Sequence, residues 1–248
     1  MEWKSSNPVL GEKTWERVAS TAGIGDTMTV QGVINRAIAL LGLVTIGAAW
    51  TWFTFLRDPA AAMIWMLIGL IGGLILSLVT VFKSEWAPFT APVYAGLEGL
   101  AIGGISAYME RSYPGIVAQA VCLTFGTCFM MLLAYTSGLI KPTERFKAGI
   151  VAATGAIFLV YLVSFALSLF GVRFPYIHDT GLIGIGFSAV VVCIAALNLV
   201  LDFDLIETGV REEMPKYMEW YAAFALMVTL IWLYVEILRL LTKLRGRE

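Results

Sequence analysis

Seven stretches of mostly apolar residues recur along the 248-residue chain, at about 37–56, 60–82, 88–109, 116–139, 148–170, 181–201 and 220–241. A helix needs about 20 apolar residues to cross the hydrocarbon core, so each stretch predicts a transmembrane helix. Turn formers and charges mark the breaks: Arg57-Asp58-Pro59, Lys83-Ser84-Glu85, Glu110 to Pro114, Lys141 to Lys147, Arg173 to Thr180 and Asp202 to Glu219. Every connection is short, which makes consecutive helices antiparallel neighbours. The pattern predicts an all-α fold, a polytopic membrane bundle of seven transmembrane helices. Residues 1–34 read as a cytoplasmic N-terminal extension, 35–241 as the transmembrane domain and 242–248 as a short basic tail.

Composition points the same way and excludes much else. Hydrophobic residues make up 59% of the chain and charged residues 14%, where a soluble domain carries about a quarter charged. Mean hydropathy is +0.81. The net charge of −1 provides no basic footprint for nucleic acid. Cys122, Cys128 and Cys193 all fall inside apolar runs, which argues against a disulfide framework, and the single His178 leaves no cluster for zinc or iron. No tightly bound metal and no cofactor is expected. A signal peptide would start earlier and precede soluble sequence; here the first apolar run follows 36 polar residues, and six further runs come after it.

Loop charges set the expected orientation. With the N-terminus inside, the inner segments hold Lys4, Lys13, Arg17, Arg36, Lys83, Lys141, Arg145, Lys147, Arg211 and Lys216, against Arg57, Arg111 and Arg173 outside. Lys243, Arg245 and Arg247 then fall outside, against the rule. Glu12, Lys13, Trp15, Glu16 and Arg17 suit an amphipathic turn on the membrane surface as well as a mobile tail. Gly69/Gly73 and Gly99/Gly103 are small-xxx-small pairs of the kind that bring helix backbones together in lipid. Trp50, Trp86 and Trp220 near span ends read as interfacial anchors.

Charges within the spans are the candidates for chemistry. A charge at the bilayer centre costs about 2.5–3.5 kcal/mol on insertion scales, so it normally pairs or lines a polar cavity. Glu98 sits mid-span beside Tyr94 and Ile105. Glu236 lies on one stripe with Thr229, Trp232 and Arg239, and the Glu236–Arg239 spacing allows a pair within one helix. Glu219 opens the last span, where a carboxylate suits the positive end of the helix dipole. Asp202 and Asp204 end the sixth span. If Gly209 caps that helix, Asp202, Asp204 and Glu207 lie in its last turns, against the dipole. Either water solvates them at the interface or they form a cation or proton site. Two residues apart, Asp202 and Asp204 cannot share a helix face, so only one is expected to point inward.

Three stretches carry a family resemblance: Leu97-Glu98-Gly99-Leu100, Phe203-Asp204-Leu205-Ile206, and Glu219-Trp220-Tyr221-Ala222-Ala223 followed by Leu233-Tyr234 and Ile237-Leu238-Arg239-Leu240-Leu241. In their order and spacing the chain, from about 35 to 241, resembles the Bax inhibitor-1 (transmembrane Bax-inhibitor-motif) family and its bacterial YccA-like branch. The resemblance implies six helices wrapped around a central last helix, in a bacterial inner membrane, and a pH-sensitive calcium leak. It also implies two aspartates sharing a proton at the cytoplasmic end, with a basic latch after the second helix. Asp204 takes the place of the first aspartate and Lys83 that of the latch. Thr229 stands where the second aspartate is implied, so Asp202, Glu219 or Glu236 would have to substitute.

Two functions follow as expectations. In the first, the protein is a cation leak channel or transporter, with calcium the expected ion because hard cations favour carboxylate oxygens. Glu98 and Glu236 line the path, Asp204 is its gate, Asp202 and Glu219 are further acidic members, and Lys83 and Arg239 are charge partners. In the second, which the resemblance implies for some bacterial relatives, the protein regulates a membrane-anchored protease without transport of its own, and the polar N-terminal segment is the grip. An enzyme is not expected: no Ser/His pair, no catalytic aspartates on facing helices and no metal motif is present. A retinal-binding reading fails because the only lysine of the last span, Lys243, lies at its exit.

Overall fold

The computed structural model describes residues 27–171 and 181–246. Among them are seven α-helices: α1 (Val30–Arg57), α2 (Pro59–Phe82), α3 (Ala87–Ser112), α4 (Ile116–Thr136), α5 (Glu144–Leu169), α6 (Leu182–Arg211) and α7 (Met218–Arg245). A 3-10 turn, Ser84–Trp86, joins α2 to α3. The helices start where side chains cap them. Thr29 accepts from the Gly32 amide, Asp58 accepts from Ala60 and Ala61 ahead of Pro59 in the first turn, and Thr143 accepts from Phe146.

Six of the seven are long and apolar enough to cross a membrane. The sequence pattern counts α3 as a span too, yet it falls below that mark, and its packing explains why. Its buried positions are mostly Ala, Gly, Thr and Ser (Ala87, Ala91, Ala95, Gly99, Gly103 and Ser106 among them, beside Tyr94 and Ile102), which bring neighbours close rather than face lipid. Large apolar side chains instead cover the outer faces: Ile38, Ile46 and Phe53 on α1, Leu70, Ile71 and Leu74 on α2, Phe125 and Phe129 on α4, Phe158 and Phe165 on α5. That exposure suits a hydrocarbon solvent. The chain is a multi-pass membrane protein.

The helices form two compact units, with α6 and α7 contributing to both. Among the described residues, one unit comprises 115–171, 181–203 and 229–246; the other comprises 27–114 and 204–228. In the second unit α3 lies beside α1 and α2. A Cβ on Gly99 or Gly103 would collide with the backbone of Val44 or Ala48 on α1, and one on Gly69 with that of Leu97 on α2's other neighbour, α3. Gly69, Gly99 and Gly103 thus set close backbone contacts, while Gly73 faces the Glu98 and Tyr94 side chains. Thr80 of α2 donates to Thr90 of α3 at 2.7 Å inside this packing. In the first unit, Asn198 of α6 donates to Thr154 of α5 at 2.9 Å.

The most buried span is α7. Of its most apolar window 56% is buried, against 17% in α2, α4 and α5.

Two ends differ from the sequence reading. α1 begins at Val30, so residues 30–34 are helical. α6 continues through Gly209 to Arg211 and closes with Glu213 in the left-handed region at φ 53°. The Met214 amide donates to Gly209 and the Glu213 amide to Val210, the pattern of a Schellman end with a glutamate in the usual glycine place. Gly209 thus lies inside the helix instead of capping it, and Arg211 in the last turn is a favourable charge for the dipole. Residues 12–17, His178 and the last two residues of the basic tail lie outside the described residues.

Candidate functional site

In the first unit three polar side chains close on one another between α5 and α7. Glu236 is 1% exposed. Arg239, one turn on, donates to both its oxygens, at 3.0 and 3.1 Å. The Tyr161 hydroxyl of α5 lies 3.0 Å from each oxygen and donates to the carboxylate, and it accepts from Arg239 Nη1 at 2.6 Å. The guanidinium also lies over the Tyr161 ring, 4.9 Å from its centre. Phe187 of α6 meets that ring edge-on at 6.1 Å. A carboxylate out of water needs a balancing charge and full hydrogen bonding, and here it has both. The Glu236–Arg239 pair was legible from spacing; Tyr161 was not, although a lone phenol in an apolar span needs a partner.

The remaining acidic groups of this unit and the basic end of α7 behave differently from each other. Asp202 is buried at 1% exposure. Lys243, assigned from sequence to the exit of the last span, is buried and donates to Ser188 at 2.8 Å and to the Gly184 carbonyl at 3.0 Å on α6. Arg245 donates to Gln119 of α4 at 2.9 Å. The cysteines are free, Cys122 and Cys193 exposed and Cys128 half-buried.

In the second unit Glu219 forms a buried cluster at the first turn of α7. It is wholly buried. Its Oε1 accepts from the Thr29 amide at 2.9 Å and the Thr29 hydroxyl at 3.0 Å, with Lys216 Nζ at 3.6 Å. Its Oε2 is ion-paired with Arg36 of α1. Gly32 leaves the room: a Cβ there would occupy the space of the Glu219 carboxyl. Arg36 also donates to the Gly32 carbonyl at 3.1 Å and lies over the Trp220 ring at 5.3 Å. Trp220 is thus a partner for a cation as well as an anchor, while Trp50 and Trp86 are exposed. Beside this cluster Met28 donates to the Met214 carbonyl at 2.8 Å and Thr27 bridges Pro215. The residues leading into α1 are fastened to the turn between α6 and α7. The dipole role expected of Glu219 is joined by a larger one, since a carboxylate at 0% exposure requires Arg36.

Also in this unit, Glu98 stands one turn on from Tyr94 along α3. Gly73 of α2 stands opposite; a Cβ there would lie 3.1 Å from Glu98 Oε2. The Tyr94 ring packs edge-on against Phe224 of α7 at 4.9 Å. Asp204 is half-buried, and Lys83, at the end of α2, is exposed with no side-chain hydrogen bond or ion pair among the described residues. Of the two aspartates on α6, the one withdrawn from solvent is Asp202, not the Asp204 that the resemblance matches. Among the described residues no three of His, Cys, Asp and Glu gather as a metal site.

Comparisons with curated proteins and with solved structures give no match. The model of one protein family, described as Bax inhibitor 1 like, matches residues 7–246, nearly the whole chain. The match takes in the Tyr161–Glu236–Arg239 cluster, the Glu219 cluster and all seven helices, and the chain belongs to the Bax inhibitor 1 like family.

Proposed function

We propose that this protein is a membrane cation leak, with calcium the favoured ion, in which carboxylates within the helical packing pass the ion and their proton occupancy controls it. The observation that carries the reading is the burial of Asp202 and Glu236, each 1% exposed, in helices whose outer faces are apolar. Acidic groups held in a membrane interior are expensive and mark ion or proton pathways. Carboxylate oxygens are the ligands a hard cation takes. Conduction needs sites weak enough to leave, and no three His, Cys, Asp or Glu among the described residues gather to hold a metal tightly.

On this reading the described arrangement is a resting one. Arg239 and Tyr161 occupy both oxygens of Glu236, so a cation competes for that carboxylate only after the pair opens. Asp204, matched to the gate aspartate of the resemblance, has Thr229 in place of a second aspartate in the sequence. Asp202 is the carboxyl on the same helix that takes the buried role.

Calcium entry into dye-loaded liposomes carrying the full chain tests the reading. Wild type passes calcium, with flux changing between mildly acidic and mildly basic buffer. Asp202→Asn and the Glu98→Gln/Asp204→Asn double variant lower it. Equal flux in wild type and both variants, or none above empty liposomes, defeats the proposal.

A further inference from the structure

In the second unit the chain reaches α1 by way of the turn between α6 and α7. Met28, 1% exposed, donates its amide to the Met214 carbonyl at 2.8 Å, and Thr27 forms an isolated antiparallel bridge with Pro215. The Thr29 amide and hydroxyl then donate to Glu219 in the first turn of α7, and Arg36 pairs with the same carboxylate. Segment 27–36 is thus held to α7 by polar contacts that all converge on one side chain and the turn before it.

Each half of this contact also has a partner of its own. Arg36 donates to the Gly32 carbonyl of its own helix at 3.1 Å. On the other side Lys216 stands 3.6 Å from Glu219 Oε1, in the same stretch of chain. Separating the halves leaves neither charge without a polar neighbour, which lowers the usual penalty for opening a buried pair. The docked state carries a deficit besides, since Arg36 Nε is buried with no hydrogen bond among the described residues. An element with partners in both arrangements can exchange between two states.

α7 runs unbroken from Met218 to Arg245 and carries Glu236 further along. A grip on its first turn fixes the rotation of the helix, and rotation decides which way its side chains face. We infer that residues 27–36 form an inhibitory strap: docked on Glu219 they hold α7 in its resting rotation, and undocked they free it for cation passage. The inference rests on the transport reading above and adds its control element. Glu219 anchors the strap and does not serve as a ligand on the path.

Locking the strap in the full chain, in dye-loaded liposomes, tests the inference. Antiparallel partners lie about 4.5–5.5 Å apart at Cα, within disulfide reach. Thr27→Cys/Pro215→Cys, with Cys122, Cys128 and Cys193 replaced by serine, should therefore cross-link on mild oxidation. The oxidised protein should pass calcium roughly fivefold more slowly than the same protein reduced, the lower end of coupling between two sites. Glu219→Gln should raise flux by a similar factor. In the same serine background it should also speed maleimide labelling of Met28→Cys, a buried position that undocking exposes. Equal flux in fully cross-linked and reduced protein overturns the strap and leaves the transport reading standing. Failure to cross-link, or equal labelling of Met28→Cys with and without Glu219→Gln, overturns it as well, because the segment is then not held by Glu219. Absence of flux above empty liposomes in every state defeats the transport reading and with it the inhibitory role.

Discussion

Arg36 and Glu219, in the second turn of α1 and the first turn of α7, form an ion pair in which the carboxylate is wholly buried. The pair is local to neither helix, and Thr29, Gly32 and Lys216 complete it. Breaking one side of a buried pair leaves an uncompensated charge, a loss of about 3 kcal/mol. Glu219→Ala should lower the thermal unfolding temperature in detergent strongly, and more than Lys216→Ala, whose ammonium is exposed. A small effect of Glu219→Ala would show that the cluster does not hold the start of α1 to α7.

Gly32 gives an independent check on the same cluster. Gly32→Ala places a methyl where the Glu219 carboxyl lies, so it should destabilise despite the roughly 1 kcal/mol that alanine gains over glycine in a helix. In a Glu219→Ala background the carboxyl is gone and Gly32→Ala should become neutral or mildly stabilising. Additive effects in the double variant would separate the two residues.

Within α3, Gly96 and Gly99 should respond in opposite directions. A Cβ at Gly99 meets the Val44 backbone, which cannot move aside, whereas a Cβ at Gly96 meets nothing within 4 Å. Gly96→Ala should be neutral to slightly stabilising and Gly99→Ala should cost about 1–3 kcal/mol as overpacking. Yields of folded protein and unfolding temperatures of the two variants check the difference.

The Tyr161 hydroxyl donates to Glu236 while accepting from Arg239, so its removal affects two bonds. Tyr161→Phe should cost about 1–3 kcal/mol, the range for a hydrogen bond to a charged group. On the transport reading it also loosens the hold on Glu236 and raises basal flux. Arg239→Gln should raise flux further, and Glu236→Gln should make the Tyr161→Phe change nearly silent. A double-variant cycle on stability with parallel flux measurements reads both.

Glu213 holds a left-handed backbone conformation that suits glycine. Glu213→Gly should stabilise by about 1 kcal/mol through relief of the steric cost, seen as a higher unfolding temperature. A fall would mean that the glutamate side chain contributes to the turn before α7.

How much of this was legible follows from the range of each interaction. The Glu236–Arg239 pair depends on three positions along one helix and could be read directly. The Gly99/Gly103 contact could be read as a kind of contact, but not that α1 would receive it. The Tyr161–Glu236 bond spans 75 residues and the Thr29–Glu219 bonds span 190. Nothing local selects such partners. Tyr161 is one phenol in an apolar run, and Arg36 reads as one more loop charge. The end of α6 shows the opposite failure: a glycine invited a cap at 209, but the helix stops four residues later with a glutamate in the unusual conformation, beside the docked residues 27–29.

By itself the sequence determined the seven helical segments, their breaks and their membrane setting. In lipid each span must satisfy its own backbone hydrogen bonds, so span and helix are local consequences of apolar length. Only the tertiary structure decided which aspartate of α6 is withdrawn from solvent, and which partners neutralise Glu219 and Glu236. A rotation of one residue, 100° about a helix axis, exchanges an inward side chain for an outward one, and packing against the other helices sets that rotation.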